Sequence, residues 1–223
     1  MRERIKEKTY KIIENIEWII LAIAIVCLVV LARNVLTDNI AALDNWGYGI
    51  ISQKIMCDNF TPIVKLLTNF AGMLWLVILS IILVVGIKNR KIGISIFANL
   101  CLSALTNYLV KQILQRPRPL EEYRLIEEKG YSFPSGHSMV SMAFYGYLIY
   151  LINKKVNNKY IRIFGTLVLG TLIFCIGTSR IYLGVHYTSD VCAGFLLGIS
   201  YLIIFVSIMK NVFNINGKGE KDE

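Results

Sequence analysis

The sequence predicts an all-α polytopic membrane protein with six transmembrane helices and both termini in the cytoplasm. Three observations carry that expectation. Apolar residues fill 55% of the 223 positions, with a mean hydropathy of +0.56, too high for an ordinary soluble domain. They fall in long blocks rather than in an amphipathic rhythm, and the connections between blocks alternate between rich and poor in Lys and Arg. Six blocks meet or approach the roughly 20 residues needed to cross a bilayer. They are 16–34, 62–87, 92–114, 136–152, 161–179 and 188–209, and no charge interrupts their centres. The chain reads as a single domain over 1–223.

The first block begins after a basic start, as a secretory signal does, but Glu3, Glu7, Glu14 and Glu17 are foreign to a signal n-region and no small-x-small cleavage site follows. A retained helix is expected. The connection from Val35 to Thr61 mixes Trp46, Tyr48, Ile50, Ile51 and Phe60 with Asp44, Lys54 and Asp58, so it reads either as an interfacial amphipathic helix or as a solvated connector. The remaining connections set the orientation. One side collects Arg2, Arg4, Lys6, Lys8, Lys11, Lys88, Arg90, Lys91, Lys154, Lys155, Lys159, Arg162, Lys210, Lys218 and Lys221, fifteen of the 24 basic residues. By the positive-inside rule that side is cytoplasmic, and the connections after the third and fifth blocks lie outside. The net charge of +9 is thus scattered as topology signals and not gathered on a nucleic-acid-binding face. Of five cysteines, Cys27, Cys101, Cys175 and Cys192 sit in apolar blocks, with neither a disulfide framework nor a zinc spacing.

Three stretches at the outer block ends carry chemistry. In "KQILQRPRP", Pro117 and Pro119 should end the third helix near Gln115 and turn Arg118 back toward Lys111. Taken alone, such basic residues also read as snorkelling to lipid headgroups. In "PSGH", Ser135 is a plausible helix N-cap, and Gly136 lets backbone N–H groups approach an anion beside His137. Plain capping would explain that stretch by itself. In "SRIYLGVHYTSD", a helix already begun at His186 would put Asp190 one turn on, where a carboxylate can hold one ring nitrogen and present the other; Arg180 adds a planar phosphate donor. His137 and His186 are the only histidines of the chain. Two four-residue repeats accompany these stretches. Asn99, Ser103, Asn107 and Lys111 form a polar stripe that reads as glue between helices or as an orienting device for Lys111, and Asp190, Gly194 and Gly198 predict close helix packing below the carboxylate.

Lys-x6-Arg-Pro, Pro-Ser-Gly-His and Ser-Arg-x5-His-x3-Asp, in this order between residues 111 and 190, resemble the tripartite signature of the type 2 phosphatidic acid phosphatase superfamily. That superfamily includes bacterial undecaprenyl-pyrophosphate and phosphatidylglycerophosphate phosphatases, and vanadium-dependent haloperoxidases. The resemblance implies a membrane phosphatase that cleaves a lipid phosphate or diphosphate at the extracytoplasmic face through a phosphohistidine. His186 would be the nucleophile, Asp190 its orienting carboxylate and His137 the general acid. Lys111, Arg118, Ser135, Gly136 and Arg180 would bind the phosphoryl oxygens. No cofactor or metal is expected, and the partners implied are the lipid substrate and the bilayer. Lipid-to-lipid phosphotransfer at the same site is the nearest rival; a lipid binder or transporter without catalysis is a more distant one.

Overall fold

The computed structural model describes residues 2–212, and the tail carrying Lys218 and Lys221 lies outside the described residues. Eight α-helices follow in order: α1 (Arg2–Leu36), α2 (Ala41–Lys54), α3 (Thr61–Thr68), α4 (Met73–Gly86), α5 (Arg90–Leu114), α6 (Gly136–Lys155), α7 (Lys159–Tyr182) and α8 (Thr188–Val212). Short 3₁₀ turns occupy Asn69–Ala71 and Glu121–Tyr123, and no strand occurs among the described residues.

Local chemistry sets the helix ends. Asn89 caps α5 by accepting from the N–H groups of Lys91 (3.0 Å) and Ile92 (3.3 Å), and Asn158 caps α7 in the same way through Tyr160 (2.8 Å) and Ile161 (3.3 Å). These asparagines lie in the two short, lysine-rich connections, which return the chain antiparallel. At its other end α5 stops where expected, with Gln115 in the left-handed region (φ 45°) just ahead of Pro117 and Pro119.

Among the described residues four helices are long and apolar enough to cross a membrane: Asn15–Leu36 within α1, α5, α7 and Thr188–Lys210 within α8. Together α3 and α4 meet the same test as one span bent by 51° near Gly72. The hydroxyl of Tyr145 on α6 donates to Phe70 O at this bend (2.5 Å). Side chains such as Val26, Leu74, Val85 and Phe174 are exposed on these helices, as lipid-facing positions require. Where the sequence suggests six crossings, length and apolarity therefore identify four or five. The remaining block is α6, whose 20 residues include Ser138, Ser141, Tyr145, Tyr147 and Tyr150. Its packing against α5, α7 and α8 explains the composition, since an enclosed helix needs no apolar coat all round.

Between α6 and α8 the predicted close approach is present. A Cβ on Gly194 would stand 2.7 Å from Ser135 O and 2.8 Å from Ser138 Cβ, and one on Gly198 would stand 2.7 Å from Met142 Cβ. Because lipid tails are as apolar as the side chains, no hydrophobic force drives helices together in a bilayer, and close contacts of this kind supply packing energy instead. They also fix the start of α8 beside the start of α6. Ser135 N–H donates to Asp190 O across the junction (3.0 Å). The connection before α3 is partly helical, and α2 lies against α7 and α8. On α2, Asp44 is buried while Trp46 is exposed, and the missing side chain of Gly47 leaves room for Thr188.

Candidate active site

The C-terminal ends of α5 and α7 and the N-terminal ends of α6 and α8 meet at one end of the bundle, roofed by the connection between α5 and α6. A cavity of about 320 Å³ opens there, lined by Lys111, Arg118, Glu128, Gly136, His137 and His186 among others. Five of the eight residues singled out in the sequence therefore share one wall. Asp190 lies behind His186, while Ser135 and Arg180 are buried behind the lining.

His186 precedes α8 rather than lying on it, because the helix begins at Thr188; the expected one-turn spacing is replaced by a turn into the helix. The pairing survives because Asp190 sits in the first helical turn and folds back. Its Oδ2 accepts from Tyr187 N–H (2.9 Å) and from Ser132 Oγ, and lies 3.3 Å from His186 Nδ1. With Nδ1–H directed at the carboxylate, Nε2 carries the lone pair. Arg118 Nη1 donates to that nitrogen (3.1 Å) and to Val185 O (2.9 Å). Burial pushes the His186 imidazole down to about 4, against the opposing pull of Asp190. The ring is neutral at physiological pH.

Arg118 is held further by Gly130 O (3.0 Å) and Lys129 O (3.0 Å). Lys111 donates to Tyr131 O and, at 3.5 Å, to Ser132 O. No hydrogen bond joins it to Asn107, so an orienting bond between them is absent. The Asn107 side-chain oxygen instead packs where a Cβ on Gly136 would stand, 2.9 Å away, while Asn99 and Ser103 continue the stripe as buried groups. Ser103 bonds within its own helix, to Leu100 O (3.0 Å). Ser135 is the N-cap of α6 as expected: its Oγ accepts from Ser138 N–H (3.5 Å) and from Ser138 Oγ (3.0 Å). His137 lines the cavity with no hydrogen bond to the protein among the described residues.

Arg180 is almost fully enclosed. Its Nη1 donates to Thr68 Oγ1 (2.9 Å) and its Nη2 to Glu128 Oε2 (2.7 Å), and its Nε has no partner among the described residues. Glu128 Oε1 lies 3.7 Å from Arg118 Nη2. Burial would raise the Glu128 carboxyl, but the guanidinium of Arg180, aided by Arg118, holds it below the usual range.

Four residues here escape a sequence reading: Asp44, Arg116, Glu128 and Ser132. Arg116 Nη1 donates to Asp190 Oδ1 (2.7 Å) and Ser189 Oγ (2.8 Å), and its Nη2 donates to Asp44 Oδ2 (2.7 Å). Proximity to Arg118 in "RPRP" is a weak signal for Arg116, and nothing in the spacing connects Asp44 to either partner.

The PAP2 superfamily pattern matches residues 92–214. Phosphatidylglycerophosphatase B of Bacillus subtilis (strain 168) is 36% identical over 100 residues, which cover 43% of this chain and 47% of that protein. Undecaprenyl-diphosphatase of Sulfolobus acidocaldarius is 29% identical over 137 residues, covering 58% and 62%. The chain thus spans less than two thirds of the length of either relative. Among solved structures, a transmembrane PAP2 type phosphatidylglycerolphosphate phosphatase from Bacillus subtilis has the same fold, with a TM-score of 0.78 at 23% identity over 86% of this chain and 96% of that one. Matched over more than half of its length, and with the three signature stretches gathered at one end of its bundle, this multi-pass membrane chain belongs to the PAP2 superfamily.

Proposed function

We infer that the protein is a lipid phosphate phosphatase that works through a phosphohistidine and takes phosphatidylglycerophosphate or undecaprenyl pyrophosphate as substrate. One observation carries the reading: His186 lines one cavity with Lys111, Arg118, Gly136 and His137, its Nδ1 held by Asp190 (3.3 Å) and its Nε2 by Arg118 (3.1 Å). The names of two relatives supply the candidate lipids.

In the proposed reaction, Nε2 attacks phosphorus as the bond to the leaving oxygen breaks, and His137 gives that oxygen its proton. Asp190 stabilises the positive charge on the ring. Water then attacks the phosphorus with His137 taking its proton, and the P–N bond breaks to return neutral His186. Lys111, Arg118 and Arg180, with the α6 N-terminus built by Ser135 and Gly136, bind the phosphoryl oxygens and offset their growing charge. Those three cations supply the charge that a divalent metal provides elsewhere. Purified protein is therefore expected to release phosphate from either lipid in the presence of EDTA. Turnover that vanished with EDTA and returned with magnesium would reject the scheme.

A second cavity of about 220 Å³ also borders His186, with Tyr48, Tyr123 and Tyr187 in its wall. It favours lipid-to-lipid phosphotransfer as the alternative, since a bound alcohol there could replace water. Labelled phosphate appearing on an added lipid alcohol, instead of free in solution, would select it.

In this reading the chain crosses six times, with α6 as the central span, both termini cytoplasmic and the site extracytoplasmic. The support is the basic-residue bias, fifteen of 24 on the side of the termini. In a Cys57→Ser background, which removes the exposed thiol between α2 and α3, Glu122→Cys should react with a membrane-impermeant thiol reagent in intact cells and Asn157→Cys should not. The reverse labelling would place the site in the cytoplasm.

A further inference from the structure

We propose that Asp44 and Arg116 are positioning residues of the active site, acting on His186 through Asp190, and that they make α2 an integral part of that site. The proposal rests on the functional reading above. Every lone-pair direction of the Asp190 carboxylate that the structure fills has a stated donor: Oδ2 serves Ser132, Tyr187 N–H and His186, and Oδ1 serves Arg116 (2.7 Å). The guanidinium is in turn fixed on its other edge by Asp44 (2.7 Å), and its central carbon lies over the Tyr187 ring, 4.0 Å from the centroid. The second oxygen of Asp44 accepts from Ser189 N–H (2.8 Å), one of the free donors at the start of α8. Asp44 is 5% exposed and Asp190 fully enclosed. This is a desolvated chain of three charges, not a surface ion pair.

Charge explains what the chain does. Two carboxylates around one guanidinium leave one negative charge to face the imidazole as phosphorylation makes it positive. Were Asp44 neutral, Arg116 would cancel Asp190, and the ring would lose its counter-charge in the transition state. Were Arg116 absent, Asp190 would lose the bond that sets its plane, and two buried carboxylates would face each other. The phosphate-binding groups are untouched in either case, so the rate of the bound complex should suffer and substrate affinity should not.

The test is steady-state hydrolysis of phosphatidylglycerophosphate in detergent by the full chain. Asp44→Asn, which keeps the shape, is expected to lower kcat about tenfold and Arg116→Gln at least as much, with KM within about twofold, and the double variant should be no worse than Arg116→Gln alone. The acid limb of kcat/KM supplies a readout that mere destabilisation would not move. His186 is faced by Arg118, Lys111 and Arg180 as cations, by Asp190 and Glu128 as anions, and by His137. Removing the Arg116 charge should move the limb to higher pH, and removing that of Asp44 should move it to lower pH. Gly47→Ala, which crowds Thr188 without changing a charge, should lower kcat and leave the limb in place; it keeps the proposal testable if a charge variant does not fold. Unchanged kcat in Asp44→Asn and Arg116→Gln, losses confined to KM, or losses that simply add in the double variant would overturn the assignment while wild-type hydrolysis keeps the functional reading. No hydrolysis of either phosphatidylglycerophosphate or undecaprenyl pyrophosphate by the wild-type protein would overturn both.

Discussion

Replacing His186 by alanine is expected to abolish hydrolysis of monoester and diphosphate lipids alike, by something like 10⁴- to 10⁶-fold, the loss seen when a covalent nucleophile is removed. The basis is position: the ring is 3% exposed and neutral at physiological pH, with Nδ1 against Asp190 and Nε2 accepting from Arg118, the bond that an incoming phosphorus would replace. Nothing else in the cavity lining is placed as a nucleophile with an orienting carboxylate behind it. Rate and intermediate should fail together. Wild-type protein given lipid labelled in its terminal phosphate and quenched in alkali should carry a label that acid removes, as a phosphoramidate does, and His186→Ala should carry none. An alkali-stable label persisting in the variant would move the nucleophile to another residue.

The second large effect separates the two substrate classes. A phosphate monoester such as phosphatidylglycerophosphate expels an alkoxide, whose conjugate acid has a pKa near that of water, about 15.7, so it needs a proton as the bond breaks. A lipid diphosphate expels a phosphate monoester with a second pKa of about 6, which leaves readily as an anion. His137→Ala should therefore slow monoester hydrolysis by about 10²- to 10⁴-fold and diphosphate hydrolysis much less, in single-turnover measurements in which chemistry is rate-limiting. The His137 ring lines the cavity without a hydrogen bond to the protein among the described residues, which suits a group that must meet the departing oxygen. Equal losses on the two lipids would mean that His137 binds the phosphoryl group instead of protonating the leaving one.

How much of this was legible in the sequence depended on whether the cause was local. Pro117 and Pro119 end α5 through chain stereochemistry, Ser135 caps α6 through its own hydroxyl, and the Gly194 and Gly198 contacts follow from a four-residue period on one helix. All three were readable. The start of α8 at Thr188 was not, because Asp190 satisfies the free N–H of Tyr187 by folding back, an arrangement that the His-x3-Asp spacing does not distinguish from an ordinary helical turn. Nor was the partnership of Asp44, Arg116 and Asp190, which joins residues 72 and 74 positions apart through packing alone. Glu127 and Glu128 are neighbours of identical charge, and only the path of the folded connection decides which one meets Arg180. Hydropathy likewise passes over α6, which packs against α5, α7 and α8.

The Glu128 carboxylate, seated 2.7 Å from Arg180 and 3.7 Å from Arg118, turns the cradle into something like an ion-exchange resin supplied with its own counter-ion. In the proposed reaction a phosphoryl group coming to those guanidiniums would not fill a bare positive site; it would trade places with a resident anion. Much of the Coulomb attraction would then be cancelled on arrival by the release of Glu128, and recovered on departure when the carboxylate returned. Such exchange would lower the affinity for every simple anion, inorganic phosphate included, and would leave selection to whatever else the lipid touches. The same tethered charge that weakens capture would thus protect the site from being clogged by its own product.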